Sequence, residues 1–447
     1  MNDPKNSSGV SRRSFLKNSS SALAGGALLG ALPIERFALG AAASDTLKVA
    51  LVGCGGRGTG AAEHALNAGG KGVKLVAMAD AFKDKLYGSF EQLKKRHADL
   101  VDVPDDHKFV GFEGYKQAIE LADLVILTTP PGFRPIHFEE AIRKGKHVFM
   151  EKPVAVDGPG VRKVIAAAEE AKRKNLKVGV GLQRRHQPNY KQVMQRLHDG
   201  AIGDIVAMRC YWNGGPVGPK ARRADLAKSL GRQPTEMEYQ MRNWYMFNWL
   251  CGDHIVEQHI HNHDVINWVK NAFPVKCHGM GGRAYQKGPD SGEIFDHHAV
   301  EYTYEDGTIM FSQCRQIPNC INDVSEHVIG TKGTCDVSRQ IIRGPEAWRY
   351  RAEGDSNDGW QLEHYPLQEA IRKDLPHNEA ERGAKSTLTS IMGRMATYSG
   401  KEITWEQAMN STLDLMPKDF SFDGQPPTLP GPDGLYPIPI PGSSIVV

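Results

Sequence analysis

The sequence has no C-x-x-C pair, no long lysine or arginine run, no internal repeat and no apolar stretch of transmembrane length. Without C-x-x-C, zinc-ribbon and thioredoxin-type sites drop out. Seven cysteines, at 54, 210, 251, 277, 314, 320 and 335, form an odd and widely spaced set. They read as mostly buried thiols, with a Cys314–Cys320 disulfide left open. A net charge of +3 over 447 residues offers no basic surface for nucleic acid and no pull toward an acidic partner. The longest apolar stretch, Ala22 to Leu32, is too short to span a bilayer. What remains is an ordinary globular composition, 40% hydrophobic and 24% charged, long enough for roughly two or three domains.

The N-terminus carries a targeting pattern. A twin-arginine "SRRSFLK" precedes the weakly hydrophobic stretch, and "AAA" at 41–43 suits a cleavage site before Ser44. This resembles a Tat export signal. Residues 1–43 are therefore set aside from the fold, and the mature protein is expected in the periplasm.

From Leu47 a β-rich run leads into glycines at 53, 55 and 58 and then a helix-forming stretch. This is G-x-G-x-x-G between a strand and a helix. The first glycine permits a tight turn, the second admits a pyrophosphate to the backbone, and the third lets helix and strand pack closely. A second strand ends at Asp80, 22 residues after Gly58. A carboxylate there accepts from ribose hydroxyls and repels a 2′-phosphate, which points to NAD rather than NADP. Further strands end at Thr128-Thr129-Pro130-Pro131, at Glu151-Lys152-Pro153 and at Gln183. Strands alternating with helical runs predict a doubly wound parallel sheet, with ligand beyond the strands' carboxyl ends. Gly53, Gly55, Gly56, Arg57, Gly58, Asp80, Thr128, Thr129, Pro130, Glu151 and Lys152 make up the expected cofactor site.

The glycine loop, "TTPP", "HVFMEKP" and a later His-rich helix together resemble the glucose–fructose oxidoreductase / inositol dehydrogenase (Gfo/Idh/MocA) family, from about Leu47 to Asn410. The resemblance implies α/β architecture: a Rossmann domain (46–182) and a C-terminal α/β domain (183–421) whose open, mostly antiparallel sheet carries the substrate pocket and oligomer contacts. It implies a sugar or polyol substrate, a homo-oligomer (dimer or tetramer), and Lys152 beside the reacting C–OH. Matched to "GDHIVEQHIHNHD" (252–264), it places Glu257 at a position where the family has Asp, His261 as acid/base and Asp264 after it. His259 stands where the family commonly has Gly. A lysine can hold a substrate hydroxyl while an imidazole moves its proton.

A metal at His259 and His263, four residues apart and completed by Glu257 or Asp253 with the separate pair His297-His298, is the alternative for this cluster. Gln183, Arg184, Arg185 and Tyr190 have side chains that bind sugar hydroxyls, and with His259 and Asp264 they form the expected substrate contacts; a surface turn is the alternative. The aromatic stretch Trp244–Trp249 suits a sugar face or core packing. A β-hairpin is expected around Glu305-Asp306-Gly307 and a long helix ending near Gly400. The Pro/Gly-rich tail 422–447 reads as an arm wrapping a neighbour or as disorder. The expected function is oxidation or reduction of a secondary alcohol with retained NAD. An NAD-dependent glycosidase and a non-catalytic NAD-bound scaffold are the rivals.

Overall fold

The computed structural model describes residues 46–217, 221–352, 354 and 356–447. The targeting pattern at 1–43 lies outside them.

Six short apolar runs form the first sheet: β1 (Leu47–Val52), β2 (Val73–Asp80), β3 (Lys108–Val110), β4 (Leu124–Leu127), β5 (His147–Met150) and β6 (Val178–Val180). All pairs are parallel, in the order β3-β2-β1-β4-β5-β6. The central strands β1 and β4 are buried almost throughout because helices cover both faces. The strand order sets Asp80, at the end of β2, and Lys152, just past β5, on opposite flanks of the glycine loop that follows β1.

The second sheet contains β7 (Ile205–Gly214), β8 (Lys276–Gly282), β9 (His297–Thr303), β10 (Ile309–Gln316), β11 (Asp323–Gly330), β12 (Thr334–Asp336), β13 (Ile341–Arg343), β14 (Trp348–Arg349) and β15 (Ile403–Thr404). It is antiparallel except for the pair β10/β7. The expected hairpin is the β9/β10 pair. Alternation along β10 turns Met310, Ser312 and Cys314 inward and leaves Phe311 exposed. The inner face packs on the helices Ile260–Lys270 and Ala380–Ser399, the latter ending at left-handed Gly400.

Two points differ from the sequence reading, and the disulfide it left open is absent. All seven cysteines are free, so Cys314 and Cys320 are not paired. The histidine segment is two helices, His254–Glu257 and Ile260–Lys270, entered through Gly252 and Asp253 at positive φ. The tail folds back on its own chain: Tyr436 and Val446 are buried, and the Tyr436 hydroxyl meets Arg223 and Glu236. Among the described residues no helix is long and apolar enough to cross a membrane.

Candidate active site

The glycine loop is built for a close ligand. Gly53 has φ +95°, and a Cβ there would stand 2.5 Å from Thr129 N. A Cβ on Gly58 would meet Gly53 O at 2.0 Å, so only glycine lets the Gly56–Gly69 helix pack on β1. Gly55 and Gly56 face open space instead. No side chain caps this helix, so its first N–H groups remain available to an anion. Thr128 Oγ1 donates to Gly53 O (2.6 Å), tying β4 to the loop. Asp80 accepts from Cys54 N (2.6 Å) and Phe82 N (2.8 Å). Burial nevertheless raises its pKa, partly offset by those hydrogen bonds. Each oxygen keeps a lone pair for a ribose hydroxyl. Glycine cradle, bare helix terminus and strand-end carboxylate thus fit a dinucleotide.

Arg57 lines the cleft with the glycine loop and is held by two carboxylates. Its Nε donates to Glu151 (2.5 Å) and its Nη2 to Glu363 (3.3 Å). The Arg57–Glu151 pair therefore links the first helix to β5. Thr129 Oγ1 lies 3.1 Å from His137 Nδ1, and Arg134 donates to Thr129 O. Pro130 lines the same cleft.

That cleft, ≈ 730 Å³, runs from Asp80 past the glycine loop to Lys152, Glu257 and His261. Lys152 Nζ donates to Glu257 O (2.7 Å) and to Glu257 Oε1 (3.2 Å). The other carboxylate oxygen of Glu257 accepts from the Tyr245 hydroxyl. His261 stacks beside Trp212, with ring centroids 5.9 Å apart and planes at 22°. Burial, followed by the Lys152 charge, holds its pKa well below the usual imidazole range. It is therefore neutral at pH 7. Trp212, Trp244 and Gln258 complete this end. Sequence reasoning missed Trp212 and Gln258 and did not connect Tyr245 to Glu257. The inward period of β7 was the available signal for Trp212.

The expected substrate contacts lie elsewhere. Gln183, Arg184, Arg185, Tyr190, His259 and Asp264 do not line the cleft. Arg185 makes a two-pronged ion pair with Asp264 (2.7 and 2.9 Å), which also accepts from Ser386. Arg184 pairs with buried Glu326, which also accepts from Tyr190 and Asn262. A Cβ on Gly359 would collide with Gln183, which packs against that turn. Arg184 with Glu326 and Arg185 with Asp264 thus satisfy one another, as buried charges require.

His259 and His263 face the second sheet. Ser312 Oγ lies 2.8 Å from Nε2 of each, and Cys210 Sγ lies 3.7 Å from His259 Nε2. His263 Nδ1 meets Ser390 Oγ. The serine hydroxyl bridges the pair as donor to one ring and acceptor from the other. His298 does not complete this pair; it and His254 share the carboxylate of Asp253.

A Rossmann domain whose glycine loop and strand-end carboxylate fit a dinucleotide, facing a lysine–imidazole pair, defines an NAD-binding oxidoreductase domain. Residues 47–182 match the GFO_IDH_MocA model, described as "Oxidoreductase family, NAD-binding Rossmann fold". An inositol 2-dehydrogenase from Rubrobacter xylanophilus is 25% identical over 322 residues, 71% of this chain and 78% of its own length. An inositol 2-dehydrogenase/D-chiro-inositol 3-dehydrogenase from Halalkalibacterium halodurans is 31% identical over 175 residues, 39% of this chain and 46% of its own length. The chain thus spans less than half of the second relative. The crystal structure of scyllo-inositol dehydrogenase from Lactobacillus casei with bound NAD(H) and scyllo-inositol superposes with a TM-score of 0.59 at 21% identity, over 81% of this chain and 99% of that one. The aldose–aldose oxidoreductase of Caulobacter crescentus complexed with glycerol gives 0.61 at 19%, over 80% and 99%. At these identities the two structures share the fold.

Proposed function

We propose that the protein is an NAD-dependent oxidoreductase acting on a secondary alcohol of a cyclic polyol or sugar. The observation that carries this is the meeting of Lys152, Glu257 and His261 in the cleft that begins at the glycine loop. Bound NAD accepts a hydride from carbon. Lys152 spends two of its N–H donors on Glu257, which leaves one for the substrate oxygen. His261, neutral and without a protein partner for its ring nitrogens among the hydrogen bonds described, takes the hydroxyl proton as the C–H pair leaves. Glu257 fixes the ammonium, and Tyr245 fixes Glu257. Trp212 and Trp244 offer flat apolar faces and Gln258 an amide, a lining suited to a neutral polyhydroxylated ring. The names of the relatives support the same substrate class.

The reading extends to location and assembly. The twin-arginine pattern supports export with the cofactor already bound. Phe311 and Ile329, exposed on the outer face of the second sheet, support a homo-oligomer. The catalytic test is a single-turnover screen of NAD-loaded protein against inositols and aldoses, read by reduced-nicotinamide absorbance on the protein. Reduction by at least one polyol is expected. Glycoside cleavage with no reduction in any screen supports the glycosidase instead.

A further inference from the structure

The residues around Asp80 belong to both halves of the chain. Phe82 and Phe133 are Rossmann residues, yet they pack in neither of the sheet's own apolar clusters. They sit in a third cluster with Leu226, Met241, Phe247, Trp249 and Tyr436, flanked by Phe420 and Phe422. Of these, Phe82, Phe133, Leu226 and Met241 line the cleft that Asp80 lines, together with Phe112. The Arg242 guanidinium lies 4.1 Å over the Phe82 ring and is anchored on Asp84 at 3.1 and 3.2 Å. Phe422 wedges behind this wall, its ring 5.2 Å from Phe82 and 4.9 Å from Phe112. The wedge is pinned by its own backbone: Thr235 Oγ1 donates to Phe422 O at 2.6 Å, and Gln240 Nε2 donates to Thr428 O at 2.7 Å.

We infer that the segment 221–242, braced by the strap 420–436, roofs the adenosine half of the cleft and makes bound NAD slow to leave. This rests on the NAD reading of the site. The ribose-binding carboxylate stands two residues before Phe82, so the base beyond the ribose enters the space lined by Phe82, Phe112, Leu226 and Met241, beside the Arg242 guanidinium that already covers one face of Phe82. An aromatic wall, an apolar roof and a guanidinium suit a purine face. The roof comes from outside the Rossmann domain and is tied down by the tail. Release therefore requires this third cluster to open, and interactions lost only on opening act on the off-rate.

The test uses full-length protein loaded with NAD and chased with excess isotopically labelled NAD, the bound nucleotide being sampled over time by mass spectrometry. Wild type is expected to hold its nucleotide through buffer exchange. Phe422→Ala and Met241→Ala are expected to exchange it roughly tenfold faster or more. Leu375→Ser, exposed just after the helix His364–Lys373, should exchange as wild type. Met241 is itself buried in the cluster, so Arg242→Gln, which releases the part-exposed pair with Asp84, remains decisive if either alanine variant does not fold, as checked by its thermal transition in saturating NAD. Wild-type exchange within the mixing time, or variants that exchange at the wild-type rate, overturn the roof while leaving NAD binding standing. A wild type that takes up no NAD(H) overturns both.

Discussion

At the residue scale, the division of labour among the histidines follows from helix geometry. His259 and His263 are four apart and share a face, whereas His261 lies about 200° around the axis from each. The pair looks into the sheet at Ser312, and His261 looks into the cleft. By residue type the four imidazoles stand equal; the matched motif singles out His261, and the direction of each ring separates the acid/base from a buried network. The same holds for Arg184, Arg185 and Asp264, whose types announce hydrogen bonding but not its recipient. If Arg185 serves the fold, Arg185→Ala should cost about 3–5 kcal/mol in a urea melt, since Asp264 is left buried and unpaired. The paired change Arg185→Met/Asp264→Leu should recover most of it, with the substrate KM little changed. A raised KM at unchanged stability would return Arg185 to the substrate.

At the scale of elements, what was legible is what depends on short spacing. The strand–glycine–helix unit, Asp80 and the Glu151–Lys152 strand end are local patterns, and the structure places them around one cleft. The third apolar cluster was not legible, because it joins residues 82, 133, 226 and 436 across the whole chain. The Pro-rich tail misled for a related reason: composition shows that it lacks regular structure, not that Tyr436 finds a partner in Glu236. The loop itself makes a sharp prediction. Gly58→Ala sets a methyl group 2.0 Å from Gly53 O, so helix and strand must separate. We expect a loss of about 1–3 kcal/mol or more by thermal melting, together with loss of NAD binding by calorimetry. Gly60→Ala, whose Cβ would meet only the Arg57 guanidinium at 3.4 Å, should bind normally.

At the scale of the molecule, the buried histidines couple stability to pH. Burial depresses the pKa of His259, His261, His263, His298 and His364, with His137 and His263 held at about 3. In the unfolded chain each titrates near 6.5. Below that value these groups bind more protons in the unfolded state than in the folded one, so the stability these histidines carry is full above about pH 6.5 and falls as pH drops toward their folded pKa values. Each such histidine adds a slope of about 1.4 kcal/mol per pH unit. Urea midpoints measured from pH 7.5 down to 5 should decline steeply, and His137→Phe should flatten the decline.

The most direct test is deuteride transfer in one turnover. NAD-loaded wild type and His261→Ala are mixed with a polyol deuterated at its carbinol carbons, and the nucleotide is released and weighed. The wild-type nicotinamide should gain one deuterium, and His261→Ala should hold its NAD but react about 10²- to 10⁴-fold more slowly. Transfer at the wild-type rate in His261→Ala, or no transfer from any polyol to the wild type's bound NAD, would contradict the assignment.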